Sequence, residues 1–320
     1  MTDPLAEDGL EVLRQTPGVD VDVRTGLSPA EFFAAIDAYD ALLVRSQTQV
    51  TAEVLAAGRR LRAVGRAGVG VDNVDVTAAT QRGVVVFNAP DGNTLAACEH
   101  TFALLLAVAR SIPQAHERLR EGVWDRTAFV GVELFGKTLG MVGFGRIGRE
   151  VAKRALAFGM RVVAFTPSLT PETALAQVDG VTCGSLEEVL ATADFLTLHA
   201  PLTDDTRHLL SRERLRHLKR GVRIVNCARG GLIDEEALAE ALREGHVAAA
   251  ALDVFEEEPL RESPLRGLSN CILTPHLGAS TQEAQRRVAV DVANELLRFF
   301  QGRPVKNAVN PEVLSGNDQG

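Results

Sequence analysis

Short runs rich in Val, Leu and Ile alternate with helical segments along the whole chain, and this alternation limits the fold more than any other feature. Runs apolar at nearly every residue suit strands covered on both faces, the pattern of parallel sheets layered between helices. The fold class is therefore α/β, with doubly wound parallel sheets. In the first part of the chain, strands are expected near GVDVDVR (18–24), DALLVR (40–45), LRAVGRAG (61–68) and VVVFNAP (84–90). The helices between them have legible starts. Ser28-Pro29-Ala30-Glu31 is a capping box with proline at the first helical position, and Thr51 and Gly58 bracket AEVLAA.

The turn cluster APDGNT (89–94) marks a boundary candidate. After it, LAACEHTFALLLAVAR is apolar on nearly every side, as a helix buried between layers or subunits is. From Thr138 the alternation restarts, with strands expected at LGMVGF, RVVAF, DFLTLHAP, VRIVNCAR, VAAAALDVF and CILTPH. Ser185 to Glu188 opens one helix with a capping box, and the last helix, about Thr281 to Phe300, is amphipathic.

A chain of 320 residues suits two domains with a cleft between them. Its longest uncharged apolar run, Thr101 to Ala109, falls well short of the ~20 residues a bilayer needs, so no membrane partner is expected. The opening MTDPLAEDG lacks the basic and apolar regions of a secretory signal, and a cytoplasmic location is expected. Cys98, Cys183, Cys227 and Cys271 stand far apart, with no CxxC and no histidine cluster at ligand spacing; reduced thiols and no metal are expected. A net charge of -8 argues against nucleic acid while leaving room for a local basic pocket holding an anionic metabolite.

Gly143-Phe144-Gly145-Arg146-Ile147-Gly148 fits G-x-G-x-x-G between an apolar strand and the helical REVAKRALAFG. In that context the first glycine makes the tight turn, the second lets backbone approach a pyrophosphate, and the third lets helix and strand pack closely. A dinucleotide is expected there. The acid that selects NAD at the end of the next strand is absent, since RVVAF is followed by Thr166, Pro167 and Ser168. No arginine for a 2′-phosphate stands there either, although Arg146, Thr166 and Ser168 have room for one, so NAD and NADP both stay open on these residues.

Arg229, Glu258 and His276 each close the C-terminal end of a successive expected strand, the edge where open α/β sheets bind ligands. Taken singly, each has a plain structural reading: a surface arginine before Gly-Gly, one member of a solvated run Glu256 to Glu258, a histidine bonded to a carbonyl. Taken together beside a nucleotide turn, they match the oxidation of a 2-hydroxy acid. An imidazole accepts the hydroxyl proton at working pH, a carboxylate orients and charges it, and a guanidinium clasps the substrate carboxylate. Those roles fall to His276, Glu258 and Arg229.

These stretches, with LLVRSQTQVT, VGRAGVGVDNVD, GVVVFNAP, FGKTLGMVGFGRIGREVA, VNCARGGLIDE, AAALDVFEEEP and TPHLGASTQEAQ, resemble the D-isomer-specific 2-hydroxyacid dehydrogenases, and within them the branch acting on 3-phospho-D-glycerate. They cover most of residues 40–300 in order. The resemblance implies a Rossmann-type cofactor domain (95–286) inserted into a flavodoxin-like substrate domain (1–94 plus 287–320), an active site in the interdomain cleft, and a homodimer through the cofactor domain. It carries the family's arginine, glutamate and histidine onto Arg229, Glu258 and His276. It adds cofactor contacts at Val69, Arg146, Ile147, Thr166, Ala200, Cys227, Ala228, Asp253 near the carboxamide, Leu277, Gly278 and Ala279. Thr166 departs from the aspartate of relatives that use NAD.

The resemblance further implies a phosphorylated 2-hydroxy or 2-oxo acid as substrate, with Arg45 and Arg66 toward the phosphate and the backbone of Gly68, Val69 and Gly70 holding the carboxylate. The implied reaction is oxidation of 3-phospho-D-glycerate to 3-phosphonooxypyruvate, the entry to serine biosynthesis. A glyoxylate or hydroxypyruvate reductase needs the same three residues without a phosphate site, and a corepressor-like NAD(H)-sensing protein keeps the fold while turning over little. Formate dehydrogenase is disfavoured, because Glu258 stands where those enzymes use an amide. Serine-producing relatives often carry a further regulatory domain, and feedback through one is not assumed here.

Overall fold

The computed structural model describes residues 1–315. The chain forms two compact units, one of residues 1–93 with the segment from 279 onward, the other Thr94–Gly278. The return to the first unit falls at Ala279, ahead of the last long helix, rather than at 287 inside it.

In the first unit, β1 (Ala41–Val44), β2 (Ala63–Arg66) and β3 (Val85–Phe87) form a parallel sheet in that order. Successive side chains serve opposite faces. Leu42, Val44, Val64 and Val86 pack with Phe32, Ile36, Val54 and Leu55, whereas Leu43, Ala63, Val85 and Phe87 pack with Val288, Val292 and Leu296 of helix Gln282–Phe300. A Cβ on Gly65 would come within 2.5 Å of Val292, so glycine is what lets this helix lie on the sheet. Residues after it close the β3 edge, Val309 N donating to Val86 O (2.8 Å) and Val86 N to Asn310 Oδ1 (2.8 Å).

The strand expected at GVDVDVR does not form. Residues 19–24 join no sheet; the N-terminal amine donates to Asp22 O (2.8 Å) and Arg24 N to Met1 O (2.9 Å). Thr2 N meanwhile donates to Leu43 O (3.3 Å), so the opening residues occupy the β1 edge that a fourth strand would need.

The second unit holds a seven-stranded parallel sheet of β4 (Thr138–Val142), β5 (Arg161–Phe165), β6 (Val181–Cys183), β7 (Phe195–Leu198), β8 (Val222–Asn226), β9 (Val247–Leu252) and β10 (Cys271–Leu273). Its order is β10-β9-β8-β7-β4-β5-β6, so the direction of winding switches between β4 and β7, where such sheets open a crevice at their C-terminal edge. On one face Leu139, Met141, Phe195, Val225 and Ala251 pack with Cys98, Phe102, Leu105 and Val108 of helix Thr94–Arg110. On the other, Val142, Leu196, Leu198, Ile224 and Leu252 pack with Val189, Leu190, Leu238 and Leu242. β6 was not expected; three residues between Gly180 and Gly184 are too few to show a period. Among the described residues no single helix is long and apolar enough to cross a membrane.

Candidate active site

The connection from β4 to helix Arg146–Ala157 is Gly143, Phe144 and Gly145 alone. Gly143 has φ of 99°, and a Cβ there would lie 2.5 Å from the His199 carbonyl at the end of β7. A Cβ on Gly148 would lie 2.5 Å from Gly143 O. Gly145 is different. Its φ of -79° and ψ of -158° are open to other residues, it is exposed, and no protein atom outside its chain neighbours lies within 4 Å of its Cβ position. Two glycines thus answer to the protein and the third to space the protein does not fill. The N-cap, Gly145, makes no side-chain cap to the helix that follows, and a helix N-terminus favours an anion. A dinucleotide pyrophosphate fits this turn.

The other expected cofactor residues of the second unit lie along the same C-terminal edge: Arg146 and Ile147 after β4, Thr166 after β5, Ala200 after β7, Cys227 and Ala228 after β8, Asp253 after β9, Leu277 and Gly278 after β10. Val69 and Ala279 belong to the first unit. Thr166 accepts from Leu169 N (2.9 Å) and offers no carboxylate at the β5 terminus. Burial holds the Cys98 thiol up at about 11 and those of Cys227 and Cys271 at about 12, so these thiols stay protonated and serve packing.

β8, β9 and β10 are neighbours, which sets Arg229, Glu258 and His276 side by side. His276 Nδ1 lies 2.7 Å from Glu258 Oε2, and Glu258 Oε1 accepts from Phe255 N (3.1 Å). The Glu258 carboxylate holds the imidazole above its ordinary pKa, against burial and the charge of Arg229. For Glu258, burial pushes the pKa up, but the hydrogen bond and charge of His276 together with Phe255 N bring it below the usual range. The acidic run divides cleanly: Glu256 turns instead to His208 (3.1 Å) and takes its own N–H to Glu235 (2.8 Å).

The turn carrying Arg229 is tied by the buried Asn226, whose Nδ2 donates to Arg229 O (2.8 Å) while Oδ1 accepts from Ala228 N (3.0 Å). A Cβ on Gly230 would lie 1.7 Å from Phe255 O, so glycine lets the Arg229 turn press against the loop of Glu258. Asp253, fully buried, accepts from Thr274 Oγ1 (2.6 Å), Leu277 N (2.7 Å) and Gly278 N (2.8 Å), and its Oδ1 lies 3.1 Å from His100 Nε2. Burial pushes this carboxyl up, but the donors, His100 first, bring it below its ordinary range. His100 and Thr274 were not singled out from sequence; the polar break Glu99-His100 in an apolar helix was the available signal.

In the first unit, Arg45 follows β1 and Arg66 ends β2. Buried Asp3 accepts from Arg45 N (2.6 Å), Gln47 N (3.2 Å) and Thr48 N (3.2 Å). Asn73 donates to Arg45 O and Thr48 O (both 2.7 Å), and Arg66 Nε reaches its Oδ1 (3.4 Å). A Cβ on Gly68 would lie 1.6 Å from Arg66 Nη1, so the guanidinium rests on bare backbone; the next residue, Val69, accepts from Asn88 Nδ2 (2.6 Å), and Gly70 follows. Asp3 and Asn73, which hold this group together, carried no sequence signal beyond their charge and polarity.

The family model for the D-isomer specific 2-hydroxyacid dehydrogenase NAD binding domain matches residues 102–278, and the chain belongs to that family. It is 50% identical over 311 residues to a D-3-phosphoglycerate dehydrogenase of Methanocaldococcus jannaschii, covering 97% of this chain and 59% of the relative. Against the enzyme of that name from Bacillus subtilis it is 51% identical over 318 residues, covering 99% and 60%. The chain thus spans about three fifths of the length of the curated relatives it matches. A crystal structure from Thermus thermophilus superposes with a TM-score of 0.87 at 42% identity, covering 96% of this chain and 98% of the other.

Proposed function

We propose that the chain oxidises 3-phospho-D-glycerate to 3-phosphonooxypyruvate with NAD by acid-base catalysis. The observation that carries this reading is the 2.7 Å contact of His276 Nδ1 with Glu258 Oε2 on the sheet edge that also holds the Gly143 to Gly148 turn. With Nδ1 committed to Glu258, Nε2 takes the substrate hydroxyl proton, and the Glu258 carboxylate stabilises the imidazolium that results. Held on the Gly143 to Gly148 turn, NAD would supply the hydride acceptor for C2. Arg229 clasps the substrate carboxylate and polarises the developing carbonyl. In the reducing direction the protonated ring returns its proton to the oxygen. The names of the relatives at about half identity support the phosphorylated substrate, and Arg45 and Arg66, held by Asp3 and Asn73, are the proposed phosphate contacts, with the backbone of Gly68 to Gly70 for the carboxylate.

Turnover measured over phosphoglycerate, hydroxypyruvate and glyoxylate, each with both coenzymes, tests the assignment. Preference for phosphoglycerate is expected. A preference for hydroxypyruvate or glyoxylate overturns the substrate, and NADH binding without any turnover points to a sensing protein. The same assay reads the effect of Thr166, where no charge repels a 2′-phosphate.

The base must be neutral to accept a proton, so oxidation should fall as pH drops through the raised pKa of His276. Replacing the carboxylate by an amide, Glu258→Gln, removes the chief cause of that elevation. The acid limb of the kcat/KM profile is then expected to move to lower pH, with a reduced maximum. An unmoved limb contradicts the pairing.

We also propose a homodimer through the second unit. Helix Ile112–Arg120 buries none of its residues, and Leu119 on it and Trp124, Val130 and Phe135 after it are exposed, apolar side chains of the kind subunit contacts cover. A monomer mass by light scattering contradicts this.

A further inference from the structure

We infer that His100 is a positioning residue, acting through Asp253 to hold the turn that carries His276. The inference rests on the proposed role of His276. His276 has φ of 54°, a left-handed conformation that is strained for a residue with a Cβ and persists only where neighbours impose it. Asp253 imposes it from both ends: its backbone O accepts from His276 N (2.9 Å), and its carboxylate accepts from Leu277 N (2.7 Å) and Gly278 N (2.8 Å). The turn is therefore placed wherever this carboxylate is placed.

Two side chains fix the carboxylate, Thr274 (2.6 Å) and His100, whose Nε2 lies 3.1 Å from Asp253 Oδ1 and 3.2 Å from Thr274 Oγ1. Thr274 gives its proton to Asp253, and an ionised carboxylate only accepts. Both neighbours of Nε2 are then acceptors, so Nε2 carries the hydrogen and His100 is a donor. The donor comes from helix Thr94–Arg110, which packs through Cys98, Phe102 and Leu105 against the sheet core, a packed element of the kind that holds a site in place. His100 thus links a packed helix to a strained turn through one buried anion.

Two variants separate a donor from a mere filler. His100→Leu keeps volume and loses the donor; His100→Gln keeps an N–H at the reach of Nε2. In His100→Leu, kcat is expected to fall about tenfold with substrate KM nearly unchanged, and His100→Gln should recover most of the loss, because misplacing a reacting group lowers the chemical step more than binding. Amide hydrogen exchange supplies a readout that needs no activity: exchange at Leu277 and Gly278 should quicken in His100→Leu and return to the wild-type rate in His100→Gln. Unchanged exchange in His100→Leu overturns the inference, as does a His100→Gln variant no better than His100→Leu. If exchange responds as expected while His276→Ala turns over normally, the positioning stands and the acid-base reading falls.

Discussion

His276→Ala is expected to lower turnover by roughly two to four decades, the usual worth of a positioned acid-base group, while leaving NAD affinity close to wild type. The two effects separate because the residues differ in place. The glycine turn follows β4 and His276 follows β10, and between them in the sheet lie β7, β8 and β9. Stability should change little. The His276 and Glu258 side chains are 49% and 36% exposed, and an ion pair so open to water contributes about 0–1 kcal/mol. Glu258 keeps its bond from Phe255 N after the histidine is gone. Alanine inherits the left-handed backbone at this position, so His276→Asn, which tolerates that conformation, is the matched control and should lose turnover to the same degree. Steady-state rates alongside coenzyme fluorescence titration measure both quantities. Turnover within a few-fold of wild type in either variant removes His276 from the chemistry.

The parts legible in the sequence are those written in neighbouring residues. β5 ends at Phe165 and the capping boxes at Ser28 and Ser185 open helices where the pattern places them, because strand periodicity and cap chemistry are local. GVDVDVR failed for the opposite reason: a strand needs a partner, and the β1 edge was taken by Thr2, a competition no local pattern records. The site divides in the same way. Arg229, Glu258 and His276 stood out because each lies within a few residues of the end of an apolar run, so position along the chain already gave position near the sheet edge. Asp3, Asn73 and His100 work across long sequence separations, Asp3 holding the loop at Arg45 and His100 reaching Asp253, and such residues look ordinary until the fold brings their partners to them. Glu258 is sorted from Glu256 by the family resemblance and not by local pattern, and the fold supplies the physical reason, one facing His276 and the other His208.

Gly145→Val is expected to weaken NAD binding by about one to two decades while leaving thermal stability nearly unchanged. The backbone at Gly145 is extended, the residue is exposed, and no protein atom beyond its chain neighbours comes within 4 Å of the Cβ position, so a Cβ there meets no clash in the folded chain and the γ-methyls start from open space. A bound pyrophosphate would meet one: crowding a fitted contact costs about 1–3 kcal/mol, and each ~1.4 kcal/mol is tenfold in Kd. The companion substitutions should behave in the reverse sense. In Gly143→Ala the new methyl group lies 2.5 Å from the His199 carbonyl on a backbone with φ of 99°, and in Gly148→Ala it lies 2.5 Å from Gly143 O, so both should lower the melting temperature before any ligand is added. Calorimetric titration with NAD and thermal melts of the three variants resolve the pattern. If Gly145→Val binds NAD as tightly as the parent chain, the pyrophosphate does not sit on this turn, because nothing else in the structure asks that residue to be glycine.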